Sequence, residues 1–527
     1  MSGTTIDVSD TLPTRLRGSA WLNLAVIVCP MIAGAFYTLI AGEDVNWDWQ
    51  NYHEYNVWAD LTGRYAIDVQ PAGFQTYFNP LVYYPVYWLR HALPAPWGLA
   101  IIGAVHGLNL SLIWFLARAL LGRSANASTL CAAVLIALTG PMTLSETGTS
   151  FADILTALAI IAGFLLIVSD DTTPPIRIFL AGLLIGASVG LKLTNVVYAA
   201  GAATALLFAV NPLAAIGCLA LGGAIGTAAA GGSWSLMLWR EMGNPVFPLF
   251  NGIFHSQELQ PTNILDLQFR PRGFFDALAY PFYWLVGDHR SSEFPFRDAR
   301  FALAVVLIPL AALSGVIRRQ MIFTRRDVIF LVMSCVSYIA WLYLFSIQRY
   351  AVVLELLCGP LIVLMLVRLA SAFRTGKDDA ARVSSMLAVI AAVAIALWSQ
   401  PGDWWRRPWS RPYQPDLSAL TKPAVYMLLD KPLGYFAALL PSQSRFYQLS
   451  DLASPVLPGS RFDARIRAGL KQPLPGGIWE VHEQEHPLRL SLLDSYGLTV
   501  DSSKACVTIE GATALSDIVA CPLKFKE

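Results

Sequence analysis

The sequence predicts an all-α polytopic membrane protein of about eleven transmembrane helices, with extracytoplasmic loop helices and a small C-terminal α/β domain. Two observations place it in the membrane. The 527 residues are 55% hydrophobic and only 14% charged, with a mean hydropathy of +0.51, too apolar for a soluble globular chain. The apolar residues also fall in long runs, many of membrane-spanning length. A third observation, the placement of Arg and Lys in alternate connections, gives the orientation. The 37 basic and 36 acidic residues balance, so overall charge suggests no nucleic-acid partner.

The expected spans are roughly 20–40, 97–120, 127–144, 151–169, 176–191, 194–210, 213–237, 300–317, 328–346, 350–368 and 384–399. The first is too long for a signal-peptide core and more spans follow it, so it reads as an uncleaved anchor. The fifth and sixth are short, with Lys192, Thr194 and Asn195 between them, and fit a hairpin as well as two full crossings. Arg15 and Arg17, Arg118 and Arg123, Arg177, the group Arg318, Arg319, Arg325 and Arg326, and the group Arg368, Arg374, Lys377 and Arg382 all fall on one side if the spans number eleven. The positive-inside rule makes that side the cytoplasm. The expected organisation is a cytoplasmic N-terminus (1–19), a transmembrane module (20–399) with external loops 42–96 and 240–299, and an extracytoplasmic C-terminal domain (400–527).

That domain opens with PGDWWRRPWSRP, which reads as an interfacial tether of Trp and Arg. Beyond it lie alternating stretches such as CVTIEG and a stretch that reads as helical, AVYMLLDKPLGYFAALL. Five of the seven cysteines sit in apolar runs, whereas Cys506 and Cys521 form a lone pair in the polar tail, compatible with a disulfide in an oxidising compartment.

Candidate chemistry gathers on the external side. Asp44, Asp48, His53 and Glu54 follow span one, and Asp48 and His53 stand in WDWQNYHEY. If that stretch is helical, Asp48 and Tyr52 share a face. A carboxylate among aromatics at a membrane surface suits a general base of raised pKa acting on a sugar hydroxyl; the plain alternative is a solvated loop anchored by its Trp and Tyr. Asp153, in SETGTSFADILTALAII, opens span four with Glu146 shortly before it. An acid there is a functional residue or a helix-terminus device, with Thr149 or Ser150 as cap. Arg349, in SIQRYAVVLELL, and Lys192 supply positive charge that a phosphate leaving group needs, unless they snorkel to headgroups. His289 and Arg290 in the later loop are further phosphate candidates. Glu355 in span ten has no evident purpose, and His106 reads as a hydrogen-bonded interior residue.

WDWQNYHEY in an aromatic first loop, TSFAD opening a later span, GLKLTN after a short helix, GNPVFP, and QRY leading into a late span together resemble the GT-C superfamily over roughly residues 20–370. These are polytopic glycosyltransferases that use polyprenyl-phosphate sugars, among them the protein mannosyltransferases and the lipid A aminoarabinose transferases. The resemblance implies an inverting transfer from a polyprenyl-phosphate-linked sugar to a glycan, lipid or protein acceptor at the outer face of a bacterial inner (plasma) membrane. It implies Asp48 as catalytic acid or base, Asp153 as its partner, and Arg349 or Lys192 on the lipid phosphate. The chain lacks the Asp-Glu dipeptide of the mannosyltransferases, and Asp44 competes with Asp48. A divalent cation on the second carboxylate stays open. An O-antigen-type polymerase or ligase, with its key Arg and His in RGFFDALAYPFYWLVGDHRSSEFPFR, and a lipid-linked sugar transporter or flippase are the competing functions.

Overall fold

The computed structural model describes residues 20–264, 266–373, 376–409, 415–449, 456–483, 489–510 and 518–526. The N-terminal segment 1–19 with Arg15 and Arg17, Arg374, and the end of the PGDWWRRPWSRP run lie outside them.

Helices stand on all eleven predicted stretches. Helix α1 (Ala20–Ala41) leads into the first long connection, which holds strand β1 (Glu43–Asp44), a π-helical turn (Trp49–His53), α2 (Glu54–Thr62) and α3 (Tyr84–Ala92). Then come α4 (Trp97–Leu121), α5 (Ala127–Leu138), α6 (Pro141–Glu146), α7 (Ala152–Val168), α8 (Pro175–Leu191), α9 (Val196–Ala205) and α10 (Pro212–Met242). The second long connection carries α11 (Asn251–Phe254) and α12 (Phe274–Val286), and α13 (Arg300–Arg318), α14 (Arg325–Leu344), α15 (Val352–Phe373) and α16 (Lys377–Trp398) complete the bundle. Among the described residues, seven helices are long and apolar enough to cross a membrane; α5, α7, α8 and the α9 region are apolar but shorter.

The expected span 127–144 is divided. Its helix ends at Leu138 and a new one starts at Pro141, because Gly140 and Pro141 interrupt it. Glu355 on α15 explains the break. Its carboxylate accepts the backbone N–H groups of Met142 and Thr143 (3.1 and 2.8 Å) and the Thr143 hydroxyl (2.7 Å), capping α6 from another helix. Helix α15 is apolar on all faces and is buried along nearly its whole length, at the centre of the bundle. Helices α8 and α10 approach closely through glycine: a Cβ on Gly186 would collide with the backbone of Gly223, and one on Gly226 with that of Leu183.

The tail forms β2 (Arg406–Arg407), β3 (Val425–Leu428), α17 (Gly434–Leu439), β4 (Arg445–Gln448), α18 (Arg461–Leu470), β5 (Ile478–His482), α19 (Arg489–Asp494), β6 (Leu498–Val500), β7 (Val507–Ile509) and β8 (Ile518–Phe525). The sheet order is β4-β3-β5-β8-β6, with β7 also on β8; β3 runs parallel to β4 and β5, and β8 antiparallel to its neighbours. The expected helix in AVYMLLDKPLGYFAALL is therefore half wrong. Its first part is strand β3, buried at every position, and a parallel strand covered on both faces reads as a continuous apolar run. Only Gly434–Leu439 is helical. Cys506 and Cys521 are disulfide-bonded.

The tail is locked to the first connection. Val69 pairs with Tyr447 at the sheet edge, Arg64 donates to the carbonyls of Ser442 and Ser444, and Phe446 N–H donates to Asp68 (3.0 Å). Gly434 has room for no side chain, because a Cβ would strike the Asn51 carbonyl. The PGDWWRRPW segment is thus more than an interfacial tether. Strand β2 pairs with β1, Arg406 donates to the carbonyls of Gly42 (3.1 Å) and Thr147 (2.5 Å), and Trp404 is buried.

Candidate active site

The candidate acids and cations lie at helix ends on one side of the bundle. The π-helical turn that follows Asp48 places Tyr52 over it, and the Tyr52 hydroxyl donates to Asp48 Oδ2 (3.2 Å). Arg349, in the short 3-10 turn that opens α15, donates to the same oxygen. Asp153, in the first turn of α7, receives Lys192 Nζ on both oxygens, at 2.6 Å each. Both expected carboxylates are therefore bound to both expected phosphate cations, each acid to one.

The two pairs share a ring. Tyr350 presents its face to Lys192 Nζ at 4.4 Å and to the Arg349 guanidinium at 5.6 Å. Phe151 (4.7 Å) and Trp404 (5.5 Å) complete an aromatic enclosure around Arg349. Tyr350 is itself fixed from behind, since its carbonyl accepts the Tyr198 hydroxyl (2.8 Å). Lys192 does not snorkel: it turns inward, and Asn195 of the same GLKLTN run ties the turn down through Thr156 Oγ1 (3.0 Å) and the Ser188 carbonyl (3.1 Å).

The expectation of a raised pKa at Asp48 is overturned. Burial is the largest single influence and opposes its ionisation, but its neighbours, the Arg349 guanidinium first and Lys192 with it, together outweigh burial and hold the carboxyl below the usual carboxylate range. His53 is buried too, and burial pushes its imidazole down to about 3, so the ring is neutral. The ring stacks on Tyr83 (4.0 Å, 19°) and its Nδ1 lies 2.8 Å from Ser150 Oγ. Asn46 Nδ2 donates to the same hydroxyl (2.9 Å), so Ser150 links the first connection to the His53 ring.

Asp44 and Glu146 serve the frame. Asp44 is fully buried, accepts Ser150 N–H (2.8 Å) and the Asn46 amide (2.6 Å), and so pins the first connection to the start of α7. The cap of α7 is neither Thr149 nor Ser150, because Glu146 Oε2 accepts Ile154 N–H (3.2 Å). Its Oε1 is buried with no hydrogen-bond partner. His106 accepts Gly148 N–H (3.1 Å), as an interior histidine should. His289 and Arg290 belong to the connection that meets the Arg349 turn, where Gln348 N–H donates to the Ser291 carbonyl (2.7 Å). His289 and Arg290 are both exposed, and Arg290 is held by Asp276 and Asp288 (2.9 Å each) over the Tyr283 ring. Sequence reasoning missed Tyr350 and Tyr83, although the QRY run places Tyr350 next to Arg349, and it gave Ser150 and Trp404 other roles, as a helix cap and in an interfacial tether.

One grouping of metal-type side chains occurs among the described residues, Glu480, His482 and Cys521, in the C-terminal sheet. Cys521 is in the disulfide and Glu480 is salt-bridged to Arg489, so neither is available to an ion.

No protein-family model matches the chain, and no curated protein does. Solved structures do. ArnT from Cupriavidus metallidurans bound to undecaprenyl phosphate superposes with a TM-score of 0.51 at 12% identity, covering 95% of this chain and 98% of ArnT. The apo form of the same protein gives 0.51 at 13% identity, over 95% and 97%. The chain has the ArnT fold. The match runs nearly end to end on both sides, so it includes the C-terminal sheet as well as the bundle. It is also the fold that the GT-C resemblance implied.

Proposed function

We propose that this chain is an inverting glycosyltransferase that moves a sugar from a polyprenyl-phosphate donor to an acceptor hydroxyl at the outer membrane face. The observation that carries the reading is the pair of carboxylate–cation contacts meeting at Tyr350, inside a fold shared with a protein crystallised with undecaprenyl phosphate.

The resting pairs supply the mechanism. Arg349 is the bidentate phosphate ligand of the set and Lys192 a point charge. A donor phosphate entering between them competes with Asp48 and Asp153 for the same N–H groups. As the phosphate takes Arg349, Asp48 loses the contact that holds its pKa down and gains a negative neighbour, so it becomes more basic. The acceptor oxygen then attacks the anomeric carbon opposite the phosphate. The C–O bond to phosphate breaks, polyprenyl phosphate leaves with the electron pair on its oxygen, and the acceptor proton passes to Asp48. Arg349 and Lys192 balance the charge that develops on the leaving oxygen. Tyr52 holds Asp48 in place throughout. The polymerase or ligase alternative is weakened, because Arg290 is already neutralised by two acids.

The test is direct. Full-length protein in nanodiscs, given undecaprenyl-phosphate sugars and cell-envelope extract as acceptor, should release undecaprenyl phosphate, and the Asp48→Asn variant should not. Failure of the wild-type protein to bind undecaprenyl phosphate would overturn the reading.

A further inference from the structure

A cavity of about 490 Å³ lies between the first connection, the end of α10 and α18, apart from the acid–cation cluster. We propose that it is a saccharide-binding site that holds the non-reacting sugars of the acceptor. That the bound sugars belong to an acceptor rests on the transferase reading; saccharide binding itself does not.

The lining has the chemistry of a sugar site. Tyr65 and Trp234 meet edge to face at 5.2 Å, and Tyr77 and Phe462 stack at 5.9 Å, so two aromatic pairs wall the space. The C–H faces of a pyranose pack on the electron-rich faces of such rings, while its hydroxyls need donors and acceptors round the rim. The rim provides both. Exposed Asp60 receives the Tyr84 hydroxyl (2.5 Å), and exposed Arg461 bridges to buried Glu258 (2.6 Å). Arg465 donates to the carbonyls of Tyr65 (2.8 Å) and Asp68 (3.1 Å), so the cationic wall is held rigidly. A lipid tail would instead require a lining without these paired charges. The C-terminal domain contributes Arg461, Phe462 and Arg465 through α18, which gives it a recognition role that the proposed chemistry leaves unassigned.

The cavity and the acid–cation cluster are two sides of one wall. Tyr77, Asn79, Leu81 and Tyr84 line the cavity, whereas Phe78 and Tyr83 pack against Tyr52 and His53 on the other side. Asn79 fixes the wall by donating to the carbonyls of Gly190 and Ala230 (2.9 Å each), and Gly190 stands two residues before Lys192. A saccharide seated here lies beside the transfer centre without occupying it.

The experiment uses full-length protein in nanodiscs on an array of neutral and amino-sugar oligosaccharides, from disaccharides to hexasaccharides. A subset should bind. Ser233→Trp fills the cavity from an exposed position on α10 and should weaken that binding at least about tenfold, a loss of about 1.4 kcal/mol. Trp234→Leu should act in the same direction. Undecaprenyl phosphate binding should survive Ser233→Trp, and saccharide binding should survive Asp48→Asn. An array with no bound saccharide, or binding indifferent to Ser233→Trp, overturns the proposal. So does loss of undecaprenyl phosphate from Ser233→Trp, which would make the cavity a lipid site. Saccharide binding without undecaprenyl phosphate binding would sink the transferase reading and leave the cavity assignment standing.

Discussion

Arg349 donates to Asp48 across 301 residues of chain, joining the start of α15 to the first long connection. The contact makes two variants separable. Asp48→Asn should cut transfer by about 10²–10⁴-fold, the range for loss of a general base. The same change removes the carboxylate that competes with phosphate for Arg349, so donor KM should fall together with kcat. Arg349→Lys keeps the charge but loses the planar fork, and should raise donor KM. Steady-state kinetics on both variants check this. A donor KM that rises in Asp48→Asn would contradict the exchange.

The same pair sets the pH dependence. Asp48 is depressed in the resting protein, so its contribution to stability is present above the ordinary carboxylate value and is lost as pH falls through the lower folded value. The acid limb of kcat/KM, which reports the free enzyme, should accordingly lie below the ordinary carboxylate value. The limb of kcat should lie higher, because bound phosphate has taken Arg349. His53, held neutral down to about 3, should add no limb near neutrality. pH–rate profiles at low and saturating donor distinguish the two limbs.

The Asp153–Lys192 pair tests structure against function. Its side chains are 3% and 17% exposed, so Lys192→Met alone leaves Asp153 charged and unpaired, at a cost of about 3–5 kcal/mol. Combining it with Asp153→Asn should restore most of the thermal stability yet leave transfer abolished. Recovery of both together would make the pair purely structural.

The bundle was legible because long apolar runs leave the chain few alternatives, and helices stand on all eleven predicted stretches, the third of them divided in two. Within the site, the sequence showed the residue types and their common side but not their partners. Asp48 read as a base of raised pKa, and Asp153 as its partner or a helix-terminus device, because nothing in WDWQNYHEY or TSFAD reveals a guanidinium or ammonium arriving from α15 or the end of α8. The direction of the Asp48 shift was misjudged for that reason. The contacts of Trp404 and Arg406 were not legible because a Trp–Arg run looks alike at a lipid interface and in a clasp between strands β1 and β2. Strand β3 was taken for helix because a covered parallel strand has no alternation to betray it.

Glu355 shows what a contact reveals that a sequence does not. Glu355→Ala should leave the N–H groups of Met142 and Thr143 without an acceptor inside the bundle, a cost of about 1–3 kcal/mol. Glu355→Gln keeps an acceptor oxygen and should cost less. Thermal unfolding in detergent orders the three proteins. Equal Tm values for Glu355→Ala and wild type would remove the cap from the account.

Sidedness is the last prediction, and the tail disulfide makes it a double test. Reporter fusions after residues 322 and 376 should report cytoplasm, and fusions after 60, 265 and 420 the exterior, as the basic clusters require. The structure links these outcomes, because the tail sheet takes Val69 of the first connection as an edge partner and the two must share a side. Cys506 and Cys521 are bonded at a separation of 15 residues, and such a bond persists only in an oxidising compartment. Closing a loop of that length stabilises the sheet by about 3 kcal/mol on chain-entropy grounds. Cys506→Ser should therefore lower the stability of the tail in protein kept oxidised and change nothing in reduced protein. A cytoplasmic signal at 420, or two free thiols by mass spectrometry, would place the tail inside. The acid–cation cluster, packed under it through Trp404, would then face the cytoplasm as well.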